Sequence, residues 1–400
     1  MAALAAAAWL LAAPVGAATD PQVPPVATGS PATDPGLDSE ATLQTQLRAL
    51  DARQLEAALA DIDRTYGADA PDLSLSQAFQ LFKSGRTWEP RLVLRNLGRY
   101  FLRALSGNAA LLGKLIVLGV LLALLQQLAG AFGGEGAGQA AHMAVYLVLM
   151  GMTIAGFGLA LGAARGAVDK LVGFMLAALP PLLAALAALG GPTSAAIFHP
   201  LMAAVVGLTA ALVRSVVFPL LFIASVLDVA SGLNDKFRLT GLSGLLKQGA
   251  MVLLGLTFTA FLGILGLKGA AGAVADGVAL RSAKFLTAAF VPVIGKLFSD
   301  ASDLMLGASL LLKNAIGAVG VVAVAAIAIF PLVQIAAIIL VYRLAAALLQ
   351  PLGAGPVATC LGAMASNLNL LWATVAVVAL LFLLSVTAIM AAGNLPQMLR

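Results

Sequence analysis

Long apolar runs recur along most of the chain and constrain its fold more than any other feature. Eight of them are long enough to cross the roughly 30 Å hydrocarbon core of a membrane. They are 109–132, 140–163, 168–189, 195–213, 215–233, 245–267, 316–342 and 368–393. Only 10% of the residues are charged, against about 25% in a soluble domain. We predict an all-α, polytopic membrane helix bundle over 108–400, with about seven to nine spans. The count is eight, or seven if 195–233 is not a tight hairpin, and a further weak run lies around 301–312.

The first 107 residues are more polar and predict a small helical region ahead of the bundle. Residues 1–18 are typical of a signal peptide, although no basic residue precedes their apolar run. Residues 19–39 are rich in Pro, Ala, Thr and Asp and predict a disordered linker. A signal peptide places residues 40–107 outside the cytoplasm. The basic residues beside the first span instead favour a cytoplasmic position for this region. The orientation therefore stays open.

Two amphipathic helices are predicted within 40–107. Leucines and isoleucines between residues 43 and 66 recur at steps of three and four, so this helix needs a partner surface. That surface is either the next helix, a short one predicted over 73–83, or another protein. A third helix begins at Pro90 and is basic, with arginines at intervals of four. A basic helix beside a membrane span suits anionic lipid headgroups. The candidate headgroup contacts are Arg91, Arg95, Arg99 and Arg103.

A block of charged residues, 269–314, interrupts the apolar region. Charges in or near a bilayer are costly, so the block is a candidate functional element. Its charged residues are Asp276, Arg281, Lys284, Lys296, Asp300, Asp303 and Lys313. The block forms either two interfacial helices with solvated charges, or a re-entrant pair that lines a polar cavity or a docking face.

Prolines inside the apolar runs are candidate helix breaks. A membrane-helix proline frees backbone carbonyls, which must find other partners. We single out Pro181, Pro292 and Pro331. Pro292 falls within the charged block, so broken or re-entrant helices are part of the predicted fold.

The motifs of common enzyme classes are missing from the sequence. HExxH, GxSxG and phosphate-binding loop patterns do not occur, and the chain has one cysteine and two histidines. Asp300 and Asp303 lack the surroundings of an intramembrane aspartyl protease. No basic run with interleaved aromatic residues indicates nucleic-acid binding. We predict neither an enzyme nor a cofactor or metal site.

Several short motifs resemble those of the stage III sporulation protein AE family. They occur in the family's order, and they are SAAIFHP at 194–200, AVADGV at 273–278, VPVIGK at 291–296, ASLLLKN at 308–314 and QPLG at 350–353. The resemblance covers about 190–394 closely, and the preceding spans by their layout. The sequence departs from the family pattern in two ways. Its signal peptide lacks the basic start, and its composition is rich in Ala and Gly.

The resemblance implies a multi-span subunit of a complex that joins the mother cell to the forespore. Such a channel or secretion-like assembly supports endospore development. Its expected partners are the other stage III A sporulation membrane proteins, a forespore membrane protein and the lipid bilayer. The expected location is the mother-cell membrane around the forespore. The alternative is an autonomous small-molecule permease with broken helices around a midplane site, although the sequence shows no convincing internal repeat.

Overall fold

The computed structural model describes residues 53–66, 90–132, 137–188, 192–232, 239–290, 295–353 and 355–392. The backbone alone is described at several of these positions, which include 90–93, 137–142, 266–290 and 295–312. The described elements are all helical, and no strand occurs among them. The predicted signal peptide, 1–18, and linker, 19–39, lie outside the described residues.

Nine α-helices make up the described part of the chain. They are α1 (Arg53–Tyr66), α2 (Pro90–Gly107), α3 (Ala109–Phe132), α4 (Ala137–Ala188), α5 (Pro192–Leu212), α6 (Phe218–Ser231), α7 (Thr240–Phe290), α8 (Gly295–Leu349) and α9 (Gly355–Ala392). A π-helical turn, Val213–Val217, joins α5 to α6 without a break. A 3₁₀ turn, Gln350–Leu352, follows α8, and Gly353 then takes a φ of +82°, which only glycine adopts easily.

Five helical stretches are long and apolar enough to cross a membrane. They lie in α4, in α5 with α6, and in α7, α8 and α9. The pair α2 and α3 passes the same test together, with a bend of 42° between them. These stretches confirm the predicted class, an all-α membrane helix bundle.

Two pairs of predicted spans are continuous helices in the structure. Run 140–163 and run 168–189, up to Ala188, lie in α4, which is 52 residues long. Run 195–213 and run 215–233, up to Ser231, form one helix through the π-helical turn, so they are not a tight hairpin. Charged residues between two apolar runs resemble a loop in the sequence, but here they lie within continuous helices and find partners.

Those partners are visible at the middle of α4. The Lys170 ammonium donates a hydrogen bond to Thr65 Oγ1 at 2.8 Å and lies 3.7 Å from Asp61 Oδ2, both on α1. Asp169 forms an ion pair with Arg214 of the π-helical turn. The charges in the middle of α4 therefore link it to two other elements.

The core of the bundle forms where α8 packs along α4 and α9. The Tyr342 hydroxyl on α8 donates to Thr153 O on α4 at 2.8 Å. Trp372 Nε1 on α9 donates to Leu332 O on α8 at 3.0 Å. Polar groups inside the bundle thus find backbone acceptors on neighbouring helices, as burial among apolar side chains requires.

Helix α1 docks on the bundle of its own chain. Its apolar side chains Leu55, Leu59 and Ile62 are 1%, 5% and 2% exposed, and the helix packs against α4 and α8. The amphipathic pattern correctly indicated a helix with one covered face. The sequence did not indicate that the chain's own membrane helices cover it.

We expect Leu59→Asp to release α1 from the bundle. Burying a leucine contributes roughly 2 kcal/mol, and a buried carboxylate adds a desolvation cost. Backbone amides of α1 should therefore exchange hydrogen at least about tenfold faster. Ala60→Asp is the matched control, because Ala60 is exposed on the same helix and its variant should exchange like the parent. Equal exchange in the two variants would show that α1 is not held by its apolar face.

Candidate functional site

A buried polar cluster lies where α6, α7 and α9 meet. Asp228 Oδ2 on α6 accepts hydrogen bonds from Lys247 Nζ on α7 and from Asn367 Nδ2 on α9, each at 2.7 Å. The side chain of Asp228 is 6% exposed and that of Lys247 is 23% exposed, while Asn367 is fully buried. These three residues are called the polar cluster below.

The polar cluster is positioned by the packing of α6 against α7. One turn before Lys247, the Ser243 hydroxyl donates to Ala224 O at 3.1 Å, one turn before Asp228. Residues four apart lie on the same face of a helix, so this contact sets the faces that carry the ion pair against each other. The α6–α7 pair then presents Asp228 to Asn367 of α9.

A second polar contact lies beside the cluster, between α4, α6 and α9. The Tyr146 hydroxyl donates to Val229 O at 3.2 Å. It also makes a hydrogen bond with the Cys360 thiol of α9. Both side chains are buried, at 2% and 4% exposure. This contact adds α4 to the helices that meet near the cluster.

One atom of the cluster has no hydrogen-bond partner. Asn367 Oδ1 is fully buried and accepts no hydrogen bond, although the other end of the same amide is bonded to Asp228. An unpaired acceptor costs about 1–3 kcal/mol of desolvation, and most buried acceptors in proteins are paired. Asn367 Oδ1 is therefore a buried acceptor of the cluster that the chain leaves unpaired.

The polar cluster pairs an acid with a base inside the bundle. The charges of Asp228 and Lys247 neutralise each other. Across the described ranges, no group of three or more metal-ligating His, Cys, Asp or Glu side chains occurs. A buried, paired charge within a membrane bundle typically marks a ligand or ion pathway.

The one charged side chain of the predicted charged block that is described, Lys313, is not part of the polar cluster. Its backbone is helical to Phe290 and again from Gly295. The side chains of Asp276, Arg281, Lys284, Lys296, Asp300 and Asp303 lie outside the described positions. Lys313 is described, is fully buried in α8 and has an interaction partner. Cavity lining or docking by the block stays a prediction.

Two of the three predicted helix-break prolines lie inside continuous helices. Helices α4 and α8 continue through Pro181 and Pro331, so neither proline ends a helix. Pro292 lies outside the described residues, between the end of α7 and the start of α8.

The candidate headgroup arginines lie on α2. Arg95, Arg99 and Arg103 are exposed, while only the backbone of Arg91 is described. The opposite side of α2 packs against α8, where the rings of Tyr100 and Phe330 meet edge to face with centroids 5.0 Å apart. The contact of the α2 arginines with lipid headgroups stays a prediction.

Sequence reasoning missed the polar cluster, although one signal was present. Asp228 is an acidic residue deep within the apolar run 215–233, the kind of position at which an intramembrane charge is functional by default. Lys247 lies near the start of the next apolar run, 245–267. Asn367 has no sequence signal, because an uncharged amide beside an apolar run is ordinary.

The long apolar helices and their buried, paired charges define an α-helical, polytopic membrane protein. The sequence model of the family described as Stage III sporulation protein AE (spore_III_AE) matches residues 73–393. The chain therefore belongs to this family, as its motifs predicted, and membership implies a role in sporulation. It is 37% identical over 340 residues to Stage III sporulation protein AE of Bacillus subtilis (strain 168), covering 85% of each chain. No solved structure matches it significantly.

Proposed function

We propose that this protein is a multi-span membrane subunit of the channel or secretion-like complex between mother cell and forespore. The observation that carries the proposal is the length of its helices. At 1.5 Å per residue, α4 with 52 residues is about 78 Å long and α8 with 55 residues about 83 Å. Both exceed twice the hydrocarbon thickness of about 30 Å. Helices of this length extend beyond the bilayer, where a subunit contacts its partners.

The docked helix α1 supports the same role. Its apolar face is taken up by α4 and α8, so its exposed face carries Glu56 and the partly paired Asp61. A charged surface fixed to the side of a membrane bundle suits contact with another subunit. The proposed partners are the other stage III A sporulation membrane proteins and, through them, a forespore membrane protein. The proposed location is the mother-cell membrane around the forespore.

The second candidate function is a small-molecule permease. The polar cluster favours it, because substrate sites of transporters lie between helices near the midplane and use buried charges. The two functions differ in whether the protein acts alone.

Crosslinking in sporulating cells tests the proposal. In a background where Cys360 is serine, we expect cysteines introduced at Asp276 and at Asp300 to crosslink to other stage III A proteins. Leu256→Cys is the control, because Leu256 is 65% exposed on the apolar side of α7 and should meet lipid. Solute flux by the purified protein alone in liposomes, with no partner recovered from cells, would favour the permease and sink the subunit proposal.

A further inference from the structure

Helix α2 presents three different faces in the structure. One face packs on the bundle, where Tyr100 meets Phe330 of α8 edge to face. A second face carries Leu94 and Leu102, which are 57% and 63% exposed. The third face carries the arginine strip, defined as Arg95, Arg99 and Arg103, all of which are exposed. Steps of four and eight residues keep each set on one side of the helix, so the exposed leucines and arginines lie next to each other.

The arginine strip is positively charged, and no acidic residue of α2 neutralises it. The sequence of the helix, PRLVLRNLGRYFLRALSG, contains no aspartate or glutamate. The Arg99 guanidinium donates a hydrogen bond to Asn96 Oδ1 at 2.5 Å, and this acceptor is uncharged. Guanidinium groups bind phosphate through paired N–H donors. Three of them on a helix without acids favour a ligand of net negative charge.

The position of α2 beside a membrane span indicates what this surface meets. Helix α3 follows at a bend of 42°, and its Val117 and Leu121 are 67% and 43% exposed. From Arg95 to Arg103 the helix rises about 12 Å, which is about 9 Å along the axis of α3. The headgroup layer on each side of a bilayer is about 5–8 Å thick. The arginine strip therefore matches the headgroup layer at the end of the α3 span.

Lys114, which is exposed on α3, is compatible with this position. It lies six residues beyond Asn108, where α2 and α3 meet, a rise of about 9 Å. Helix side chains lean towards the helix N-terminus, and a lysine extends its apolar stem so that the ammonium stays in a polar layer. The Lys114 ammonium can therefore reach back towards the arginine strip.

A lipid bilayer offers both kinds of contact that this surface needs. Its phosphate groups and acyl chains lie within a few ångströms of each other, next to the arginine strip and the two exposed leucines. A nucleic acid would supply phosphates but no apolar partner for the leucines. A surface helix normally buries its apolar face in lipid, whereas the bundle covers that face of α2. Helix α2 is therefore held in place by protein contacts before lipid binds.

We propose that the arginine strip, with Leu94 and Leu102, is a preformed site for anionic phospholipids of the bilayer. Lipid phosphates accept hydrogen bonds from the guanidinium groups, and acyl chains cover the two leucines. The site belongs to the chain in its membrane and does not rest on the proposed function, because a complex subunit and a permease would both carry it.

Fluorescence quenching in vesicles tests the proposal. The full-length protein, with Cys360 replaced by serine, carries one fluorophore on Gly98→Cys. Gly98 is exposed beside the arginine strip, and a Cβ there meets no atom within 4 Å. Phosphatidylcholine vesicles contain a rising fraction of a brominated lipid, either phosphatidylglycerol or phosphatidylcholine. We expect brominated phosphatidylglycerol to quench at a fraction at least about fivefold lower, an effect that one basic residue at a membrane surface can produce.

A second reporter position is the matched control. Leu121→Cys places the fluorophore on α3, away from the arginine strip, at a side chain that is 43% exposed. The two brominated lipids should quench it equally. Salt at about 1 M shortens the screening length to about 3 Å and should remove most of the preference at Gly98.

Charge variants separate the arginines from their surroundings. The triple variant Arg95→Gln, Arg99→Gln, Arg103→Gln should make the two lipids quench equally at Gly98. The corresponding triple lysine variant should keep most of the preference, because lysine keeps the charge. Arg103 has a further interaction within the protein. The double variant Arg95→Gln, Arg99→Gln should also lose most of the preference, and it decides if the triple variant does not elute as a single species.

Three results would overturn the proposal. A Gly98 reporter that neither lipid quenches, while the Leu121 reporter is quenched, would place the surface in water or against another protein. Equal quenching of the Gly98 reporter by both lipids would remove the anionic preference. A preference that persists in the glutamine variants, or that is just as large at Leu121, would remove the arginines as its source.

Discussion

Lys247→Met is expected to lower the free energy of unfolding by about 3–5 kcal/mol, because it leaves the buried Asp228 carboxylate without its ion-pair partner. Asn367 alone then donates to that carboxylate. The measurement is thermal or denaturant unfolding of the purified protein in detergent. Lys114→Met is the matched control, since Lys114 is exposed on α3, and its stability should stay close to the parent's.

A triple variant separates the cost of an unpaired charge from the value of the cluster itself. This variant combines Asp228→Leu, Lys247→Met and Asn367→Leu, so that an apolar side chain replaces every polar side chain of the cluster. Replacing a whole buried ion pair by apolar side chains is often close to neutral. We therefore expect the triple variant to be more stable than Lys247→Met. A triple variant as unstable as the single one would mean that the polar cluster itself holds the three helices together.

The second large effect is expected at Gly156 of α4. A Cβ at this position collides with the Tyr342 hydroxyl. That hydroxyl is buried and bonded to Thr153 O. Gly156→Ala should therefore destabilise the protein by about 2–3 kcal/mol, through overpacking and the loss of this hydrogen bond.

A neighbouring glycine is the control for Gly156→Ala. Gly158 is exposed on the same helix, and a Cβ there meets no atom within 4 Å. Gly158→Ala should leave stability unchanged or raise it by up to about 1 kcal/mol, because alanine favours a helix. Adding Tyr342→Phe to Gly156→Ala removes the clashing hydroxyl. If this double variant is no more stable than Gly156→Ala, the hydroxyl clash is not the cause.

The effects at both sites arise from contacts that the sequence does not reveal. Gly156 and Gly158 look alike in the sequence, since both are glycines within the same apolar run. Only packing of α8 against α4 makes the first one critical. In the same way, Lys114 and Lys247 are both lysines near the start of apolar runs, and only Lys247 becomes part of a buried ion pair.

The membrane class and most helical segments followed from the sequence. Run 109–132 coincides with α3, and runs 245–267 and 316–342 fall inside single helices. Run 368–393 lies in α9 up to the end of that helix at Ala392. Apolar length decides this outcome, because a backbone in lipid must satisfy its hydrogen bonds internally. The covered face of α1 followed for the same kind of local reason, the three- and four-residue spacing of its leucines.

Helix continuity and the polar cluster were decided by the tertiary structure. Asp169 and Lys170 look like a loop between two spans, but α4 continues through them, and they pair with Arg214 and Asp61. The bonds of Asp228 reach across 19 residues to Lys247 and 139 to Asn367. Propensity and periodicity act over a few residues, whereas the pairing of buried charges depends on which distant helices pack together. The sequence by itself therefore determined a helical membrane protein, and the packing of its helices decided where its buried site lies.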